Sequence, residues 1–390
     1  MPDALLQDSL TLQERTALVV DQNARIVAVT PAASLPADIP KTVFPGELWT
    51  AAPVLAHAHL ESFDAPSEEW GGAGFSTWVA QLLAWRQRQG RLSAPASAAA
   101  SLAELLHFGC GLVATHVAEA GADGTAYQAV LPHILAMQEV FAPAAADFDG
   151  EFLTTIQAGA AIALHAPFSI ADEVAAAVFQ AAAGQLVSIH LGEHEEERQL
   201  LASGTGPLAD LLTSRGRSLK QQRWASPVDW LDAVGGLQPG TLVVHGSNLN
   251  VAELQRLADA KVGVVFCPGT HHYFERPLPA FVAAGVALPA LGCDSRASNS
   301  CLDPLRELQL AYAMMPEPGA QAWWHALTST GAAVLQQPTW GALTLGKRAT
   351  VLRLTLQHQA TPELSAAGVC QALCEGWRPP RRLDDCAPIK

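Results

Sequence analysis

Four residues that lie far apart in the chain have the chemistry of a single metal site. His57 and His59 occur in LAHAHLE, His190 in SIHLGEHEE and Asp294 in LGCDSRASN, each after a short apolar run typical of a buried strand. Imidazole and carboxylate groups bind catalytic divalent ions, and such sites keep one position open for water. The four residues therefore predict hydrolytic chemistry, provided that the fold brings the strand ends together.

His57 and His59 would point to the same face of a strand. Side chains two residues apart on a strand lie about 7 Å apart along the backbone, which is within reach of one shared ion. In a chain with 13 histidines, a His-x-His pair alone is weak evidence. His190 and Asp294 strengthen the interpretation because each ends its own strand-like run. In a barrel of parallel strands these ends meet on the face where active sites lie.

Residues close to these motifs have side chains that could move protons. Glu193 follows His190 by three residues, and the glutamates at 195–197 predict an exposed acidic first turn of a helix. Glu193 could belong to that turn, but its position beside a strand-end histidine favours general acid or base function. His245 ends TLVVHG and His165 lies in ALHAPFS, and each could be either functional or a hydrogen-bonded core histidine.

The alternation of elements predicts an architecture that would bring these residues together. Eight strand-like apolar segments alternate with amphipathic helical segments, which is typical of a (β/α)₈ barrel in an α/β fold. The strand segments are Val54–Ala58, Leu112–Val117, Ile134–Val140, Ala161–Ala166, Leu186–Leu191, Leu242–His245, Val262–Cys267 and Val286–Cys293. The helical segments include Thr77–Gln89, Pro95–His107, Asp172–Ala183, Val251–Ala260 and Leu302–Ala313.

The two ends of the chain depart from this alternation. Short β-like runs occur at Thr16–Val20 and Arg25–Thr30, and TVLRLTL alternates near the C-terminus as a half-buried strand would. Neither end is long enough to form a stable domain alone. We therefore expect residues 1–50 and 345–390 to form one composite β-sandwich, and residues 51–344 to form the barrel.

Composition narrows the range of partners. The chain has 37 acidic and 23 basic residues among 390, a net charge of −14, which disfavours nucleic acid and anionic membranes. The start has no basic n-region, and no apolar run reaches the roughly 18 residues of a membrane helix. Seven cysteines, an odd number, fit free thiols in a reducing compartment. We expect a cytoplasmic protein that acts on a small-molecule substrate.

Taken as a set, the motifs resemble those of the amidohydrolase superfamily, in its metal-dependent aminohydrolase branch. The matching segments are HAHLE, HLGE, VHG and GCDS, with PGELWTAAPVLAHAHLE near the start and WGALTLGKRATV near the end. The resemblance implies a distorted (β/α)₈ TIM barrel with a small β-sandwich built from both chain ends, in agreement with the pattern of elements. It also implies a homodimer.

The resemblance implies a role for each candidate residue. One divalent ion, zinc or alternatively iron, would be bound by His57, His59, His190 and Asp294. Asp294 would also accept a proton from the attacking water. Glu193 would match the family's proton-shuttling glutamate, and His245 would match the histidine that orients the water.

A narrower resemblance concerns the substrate. ALHAPFSI is similar to a segment of nucleoside-type deaminases whose histidine contacts substrate, and His165 matches that histidine. HLES, FSTWVAQLLAWR and DSRASNSCLDPLREL are most similar to aminodeoxyfutalosine deaminases of menaquinone biosynthesis. Ser62 and Phe168 are candidate substrate contacts, although both could instead pack the loops.

This sequence departs from the family pattern at two positions beside Asp294. Cys293 stands where threonine is usual, and Arg296 replaces a residue that is commonly apolar. Both departures bear on the choice of substrate. No lysine occurs in the strand segments 134–140 and 161–166, so a lysine-bridged pair of metal ions, and with it cyclic-amide hydrolysis, is disfavoured.

We therefore predict a mononuclear metal-dependent hydrolase that deaminates an amino-substituted purine nucleoside or a similar heterocycle, of the aminodeoxyfutalosine type, and releases ammonia. Two alternatives share the metal site: a deaminase or chlorohydrolase of triazines or pyrimidines, and an amide hydrolase that uses one metal ion. A metal-free scaffold protein is the alternative from another class. Relatives of that kind typically lose the paired histidines, which this chain keeps.

Overall fold

Both ends of the chain contribute strands to one sheet in the computed structural model. The structure describes residues 1–70, 74–89, 94–117, 134–145, 148, 153, 156, 159–356 and 364–377. The strands of this sheet are β1 (Pro2–Leu6), β2 (Leu12–Glu14), β5 (Phe44–Ala51) and β14 (Val351–Thr355), in the order β14-β5-β1-β2. An antiparallel pair, β3 (Thr16–Val20) and β4 (Ile26–Pro31), forms a second sheet. Leu5, Ile26, Trp49 and Val351 lie in one buried apolar cluster. The predicted β structure of the chain ends is confirmed, while 357–363 and 378–390 of the predicted sandwich lie outside the described residues.

Eight parallel strands form the second major sheet, and their order in the sheet follows the chain. They are β6 (Val54–Leu55), β7 (Leu112–Val117), β8 (Ile134–Val140), β9 (Ile162–Leu164), β10 (Val187–Leu191), β11 (Thr241–His245), β12 (Gly263–Phe266) and β13 (Ala290–Leu291). Most of these residues are buried, which is why the strands read as continuous apolar runs rather than alternating ones. All eight predicted strands are therefore confirmed.

The first and last strands of the barrel are shorter than predicted. Pro289 lacks the N–H that a ladder needs, so regular pairing begins only at Ala290. Beyond both strands a single parallel bridge joins Ala58 to Asp294, and the backbone N–H of His59 donates to the carbonyl of Asp294 at 2.8 Å. Gly292 permits this approach, since a Cβ there would lie 3.0 Å from both the Cβ and the carbonyl oxygen of His57. The sheet thus nearly closes into a barrel.

Helices fill most of the connections. They are α1 (Ser67–Trp70), α2 (Phe75–Gln89), α3 (Ala94–His107), α4 (Asp172–Ala182), α5 (Glu195–Ser203), α6 (Pro207–Ser214), α7 (Pro227–Ala233), α8 (Val251–Asp259), α9 (Pro268–Tyr273), α10 (Pro304–Met314), α11 (Ala320–His325), α12 (Gly331–Val334) and α13 (Ala366–Cys374). Local sequence explains several starts: Asn250 and Glu253 form a capping box at α8, and Asp303 caps α10 just before a proline. None of the described helices is both long and apolar enough to cross a membrane.

The chain divides into two compact units. One comprises Met1–Ala56, Leu102–Val113 and Leu302–Lys390, and the other comprises His57–Ser101 and Ala114–Cys301. Every candidate site residue lies in the second unit. The predicted boundaries, 1–50 with 345–390 and 51–344, stay a prediction.

Candidate metal centre and active site

The four predicted metal ligands lie together at the carboxyl ends of the barrel strands. The Nε2 atom of His190, on β10, lies 3.1 Å from Nε2 of His59 and 3.4 Å from Nε2 of His57. The Oδ1 atom of Asp294 lies 3.6 Å from Nε2 of His57 and 3.8 Å from Nε2 of His59. Zinc–nitrogen bonds of 2.0–2.1 Å in a tetrahedral site place neighbouring ligand atoms roughly 3.3 Å apart. The spacing of these four atoms therefore fits one ion.

His59 and His190 are also in the form that binds a metal. Burial and the imidazoles of His57 and His190 lower the pKa of His59 well below its usual value, and burial, with His57, lowers the pKa of His190 to about 4. The Nδ1 atom of His190 donates to the carbonyl oxygen of His165 at 2.6 Å. The lone pair of His190 must therefore lie on Nε2, which faces the cluster. Neutral imidazoles fixed in this way are suited to metal binding.

The two oxygens of Asp294 have different partners. Oδ2 accepts hydrogen bonds from the hydroxyls of Thr270 at 2.9 Å and Ser298 at 3.0 Å, while Oδ1 faces His57 and His59. Burial raises the pKa of the Asp294 carboxyl, but the hydrogen bond with His57 and the nearby imidazoles outweigh it and hold the pKa well below its usual range. The residue has a φ of +56°, a left-handed conformation that costs energy for a residue with a side chain. The backbone is thus strained at the residue that carries this carboxylate.

We expect the hydroxyl of Thr270 to contribute to metal affinity. Thr270→Val removes one of the two donors to Oδ2 and should weaken metal binding about 10- to 100-fold, as is typical when a partner of a ligand is lost. Thr270→Ser keeps the hydroxyl and should bind as the parent protein does. Competition with a chromogenic chelator measures both affinities, and equal affinity in the valine variant would contradict this role.

Glu193 lies near the metal cluster and close to two further side chains, those of Arg276 and His245. Its Oε1 atom accepts a hydrogen bond from Nη2 of Arg276 at 3.0 Å and lies 3.7 Å from Nε2 of His245. Burial raises the pKa of Glu193 to about 7, against the opposing effect of Arg276 and with a smaller contribution from Asp294. His245 has a φ of +72°, and burial lowers its pKa well below the usual value, so it is a neutral imidazole. A carboxyl group with a pKa near neutrality is suited to giving and taking a proton.

Glu197 is buried, which corrects the prediction that the glutamates at 195–197 form an exposed turn. They do begin α5, but the carboxylate of Glu197 is turned inwards and accepts the backbone N–H groups of Gly192 at 3.0 Å and Glu193 at 3.2 Å. Gly192 has a φ of +61°, so the chain makes a tight turn between the strand and Glu193. Glu197 therefore stabilises the loop that carries Glu193.

The buried carboxyl of Glu197 should make stability depend on pH. Burial raises its pKa to about 7, above the ordinary value of 4.5, so the folded state retains a proton that the unfolded state loses. The contribution of Glu197 to stability should therefore fall as the pH rises from about 4.5 to 7, by on the order of 1 kcal/mol per pH unit. The buried neutral histidines contribute in the opposite direction, so the test is the difference between the free energies of unfolding in urea of the parent protein and of Glu197→Gln. This difference should shift against the parent protein as the pH rises across this range, and a constant difference would contradict the assignment.

A cavity of about 330 Å³ opens onto this site. His59, His190, Glu193, His245 and Asp294 form its polar end, and apolar side chains that include Phe75, Trp78, Leu82 and Leu211 form the walls. Such a combination of apolar walls with a few convergent polar groups is typical of a small-molecule site.

The predicted substrate contacts are placed differently from one another. His165 and Phe168 line the cavity, and the Nδ1 atom of His165 lies 2.7 Å from the hydroxyl of Ser169. The ring of Phe141 stacks on His165 with centroids 4.3 Å apart. Ser62 is fully buried and is not among the described residues that line the cavity.

The two departures from the family pattern also differ in position. Cys293 is fully buried, and its backbone N–H donates to the carbonyl of His57 at 3.0 Å. The guanidinium of Arg296 lies over the ring of Phe63 at 5.3 Å and donates to the carbonyl of Ser300. Among the described residues that line the cavity, neither Cys293 nor Arg296 appears.

His116 on β7 is a member of the histidine cluster that sequence reasoning missed. Its ring packs edge-on against that of His57, with centroids 4.5 Å apart, and a nitrogen of each of His57, His59, His116 and His190 lies within one 4.8 Å group. However, Nδ1 of His116 lies 3.3 Å from the carboxylate of Glu139, and Nε2 lies 2.9 Å from the hydroxyl of Ser188. Since both ring nitrogens have partners, His116 forms a wall of the cluster rather than a further ligand.

Comparison with known proteins agrees with this fold. The model of the amidohydrolase family matches residues 56–367. An aminodeoxyfutalosine deaminase of Deinococcus radiodurans is 30% identical over 300 residues, which cover 70% of this chain and 69% of the relative.

Solved structures show the same fold. Helicobacter pylori aminofutalosine deaminase in complex with methylthio-coformycin has a TM-score of 0.80 at 20% identity, over 95% of each chain. An adenosine deaminase from Xanthomonas campestris with bound zinc has a TM-score of 0.74 at 21% identity, over 97% of this chain and 88% of that chain. Because the family model spans most of the sequence, the chain belongs to the amidohydrolase family and is a hydrolase that acts on non-peptide carbon–nitrogen bonds.

Proposed function

We propose that this protein is a mononuclear metal-dependent deaminase that hydrolyses an amino-substituted purine nucleoside, of the aminodeoxyfutalosine type, or a similar heterocycle, and releases ammonia. One observation carries the proposal. The cluster of four potential ligand atoms and the pair Glu193–His245 lie next to each other, at one end of the same cavity. The relative in Deinococcus radiodurans, an aminodeoxyfutalosine deaminase, supports the substrate class.

The metal ion would be held by His57, His59, His190 and Asp294. The donor set of three imidazoles and one carboxylate suits either zinc or iron. Zinc is favoured, with iron as the alternative, because the related structure from Xanthomonas campestris contains bound zinc. Bound there, a divalent ion would make a water molecule acidic, lowering its pKa from about 15.7 towards about 7.

Two side chains of the protein would transfer the two protons of that water to the substrate. Glu193 would deliver one proton to the ring nitrogen beside the carbon that carries the amino group, which makes this carbon more electrophilic. Asp294 would accept the other and would pass it to the leaving amine. A carbon–oxygen bond forms, the carbon–nitrogen bond breaks and ammonia leaves.

His245 would orient the attacking water. Its neutral ring lies beside Glu193, with 3.7 Å between Nε2 and the carboxylate, and can hydrogen-bond the oxygen during its addition. His165 and Phe168 line the cavity and would contact the heterocycle or its substituent. Ser62 stays a prediction that the buried position of its side chain does not support.

The substrate class can be tested with a panel of amines. Protein loaded with zinc is incubated with aminodeoxyfutalosine, adenosine, 5′-methylthioadenosine, an aminotriazine and cytosine, and ammonia release is measured for each. We expect turnover of a purine nucleoside, with aminodeoxyfutalosine the best. Turnover of the triazine or the pyrimidine alone would replace the purine assignment. Silence with all five, with zinc bound, would favour an amide hydrolase or a chlorohydrolase, since neither releases ammonia from these amines.

Three further expectations stay predictions. They are the part in menaquinone biosynthesis implied by the narrower resemblance, the homodimer and the cytoplasmic location. Light scattering coupled to size-exclusion chromatography would test the second of these directly.

A further inference from the structure

Arg276 is a buried cation beside the proposed active site that no motif predicts. It follows α9 in the segment HHYFERPLP, and its side chain is only 6% exposed. Its Nη2 atom donates to Oε1 of Glu193 at 3.0 Å, across 83 positions of the chain. Moving a guanidinium out of water costs several kcal/mol unless a charged partner offsets it. The pairing with Glu193 is therefore the interaction that makes this buried position tolerable.

The local backbone directs Arg276 towards Glu193. Glu275, the residue before it, has a φ of +49°, a left-handed conformation that is costly for a residue with a side chain. The N–H of Arg276 donates to the carbonyl of His271 at 3.3 Å, and the guanidinium lies over the ring of Phe274 at 4.5 Å. The turn and the ring together hold the guanidinium in one place, so its direction is built into the loop.

The two partners differ in their access to substrate. Glu193 lines the cavity, whereas Arg276 is not among the described residues that do so. Arg276 therefore contacts Glu193 from outside the lining of the cavity. Only one of its N–H groups bonds the carboxylate, and Nε and Nη1 have no hydrogen-bond partner among the described residues. A single bond to Oε1 fixes the orientation of the carboxylate and leaves Oε2 without a bond to the guanidinium.

We propose that Arg276 is a positioning residue that holds the carboxylate of Glu193 towards the cavity for proton transfer. This inference rests on the proposed function of Glu193 and adds a residue to it. Proton transfer requires the carboxylate within about 3 Å of its target, so a group that fixes its orientation should affect turnover rather than substrate binding.

The charges around Glu193 support the same role. Burial and the nearby Asp294 favour the protonated form of Glu193, whereas Arg276 favours the carboxylate. His245 is neutral, and Glu197 is a further acidic group close by. The guanidinium of Arg276 thus opposes the effects of burial and of Asp294 on the pKa of Glu193, and both protonation states of Glu193 stay accessible.

The test compares Arg276→Met and Arg276→Lys in the parent protein and in the Glu193→Gln background, with kcat, KM and metal content measured for each. We expect Arg276→Met to lower kcat about 10- to 100-fold with KM within about threefold and metal content unchanged, and Arg276→Lys to recover most of the loss. In the Glu193→Gln background the same substitution should change the residual rate less than twofold. An equal loss in both backgrounds, or a rise in KM alone, would overturn the proposal.

Arg198→Met is the matched control for the loss of an ion pair. Arg198 makes two hydrogen bonds to Glu253, at 2.8 and 2.7 Å, on helices that carry no proposed catalytic group. We expect this variant to be less stable but to keep the parent kcat. A fall in kcat equal to that of Arg276→Met would show that any broken ion pair slows turnover, and the specific role of Arg276 would be lost.

A crystal structure of the Arg276→Met protein tests the orientation without any substrate. We expect the Glu193 carboxylate to turn away from the cavity, and an unchanged carboxylate would overturn the proposal. The two hypotheses fail in different ways. If Glu193→Gln is as active as the parent protein, the proposed function of Glu193 fails; if Glu193→Gln is inactive and Arg276→Met is fully active, only the role of Arg276 fails.

Discussion

Glu193→Gln is expected to lower kcat by on the order of 10³-fold while the protein keeps its metal ion. Glutamine has nearly the same shape and can still accept a hydrogen bond from Arg276, but it cannot give or take the proton that the ring nitrogen requires. General acid or base catalysis typically contributes 10²- to 10⁴-fold, and Glu193 would act on both the ring nitrogen and the water. Steady-state ammonia release and elemental analysis of the same preparation measure the two quantities together.

Glu195→Gln is the matched control for this loss. Glu195 lies two residues further along, at the exposed start of α5, and its replacement also removes one negative charge from the same turn. We expect parent-like kcat in this variant. Near-parent turnover in Glu193→Gln would remove Glu193 from the mechanism, whereas equal losses in both variants would indicate a general effect of charge.

His57→Ala and Asp294→Ala are expected to abolish metal binding and, with it, activity. Each removes one of four ligand atoms that lie 3.1–3.8 Å apart, and the three that remain cannot complete a four-coordinate site without additional water. We expect less than about 0.1 ion per chain after desalting and a loss of activity as large as that of the metal-free parent protein. Elemental analysis and ammonia release provide the two readouts.

His272→Ala is the corresponding control, because His272 is exposed on α9 and lies outside the cluster. It should keep both the metal and the activity. Full metal occupancy in His57→Ala and Asp294→Ala, measured under the same conditions, would remove these residues from the ligand set and would favour a site that includes His116 instead.

The barrel and the cluster of potential ligands could be predicted because their signals are local. His57, His59 and His190 each stand at the end of a continuous apolar run, and a buried parallel strand produces such a run wherever it occurs. The order of the strands in the sheet follows the chain, because parallel strands that are consecutive in sequence usually lie next to each other. Histidine and aspartate at strand ends are unusual enough, in an otherwise apolar context, to predict a shared site.

The residues that support the site could not be predicted in the same way. Thr270 lies on the short helix α9 and Arg276 in the turn that follows it, a segment with no periodic pattern. Their partners, Asp294 and Glu193, are 24 and 83 positions away. Hydroxyl and guanidinium groups are common on surfaces, so nothing in the local sequence separates these two from exposed residues.

At two further residues, Glu197 and His116, the structure differs from the prediction for physical reasons that a sequence pattern does not show. The sequence predicts an exposed Glu197, in an acidic first turn that complements the helix dipole. It is buried because the N–H groups of Gly192 and Glu193 need an acceptor at the turn. His116 is predicted only as part of a strand, and its contact with His57 arises because β7 pairs with the neighbouring strand β6, with the backbone N–H of His116 donating to the carbonyl of Ala58.

The most direct test of metal-dependent deamination is ammonia release from aminodeoxyfutalosine by one preparation in three states: loaded with zinc, stripped by a chelator and reloaded. Adenosine serves as the second substrate, and zinc-loaded Glu193→Gln serves as the blank. We expect ammonia from the loaded protein, none from the stripped protein, recovery on reloading and a rate on the order of 10³-fold lower from the blank. Equal ammonia release from the stripped protein, or from the blank, would contradict a metal-dependent deaminase that relies on Glu193.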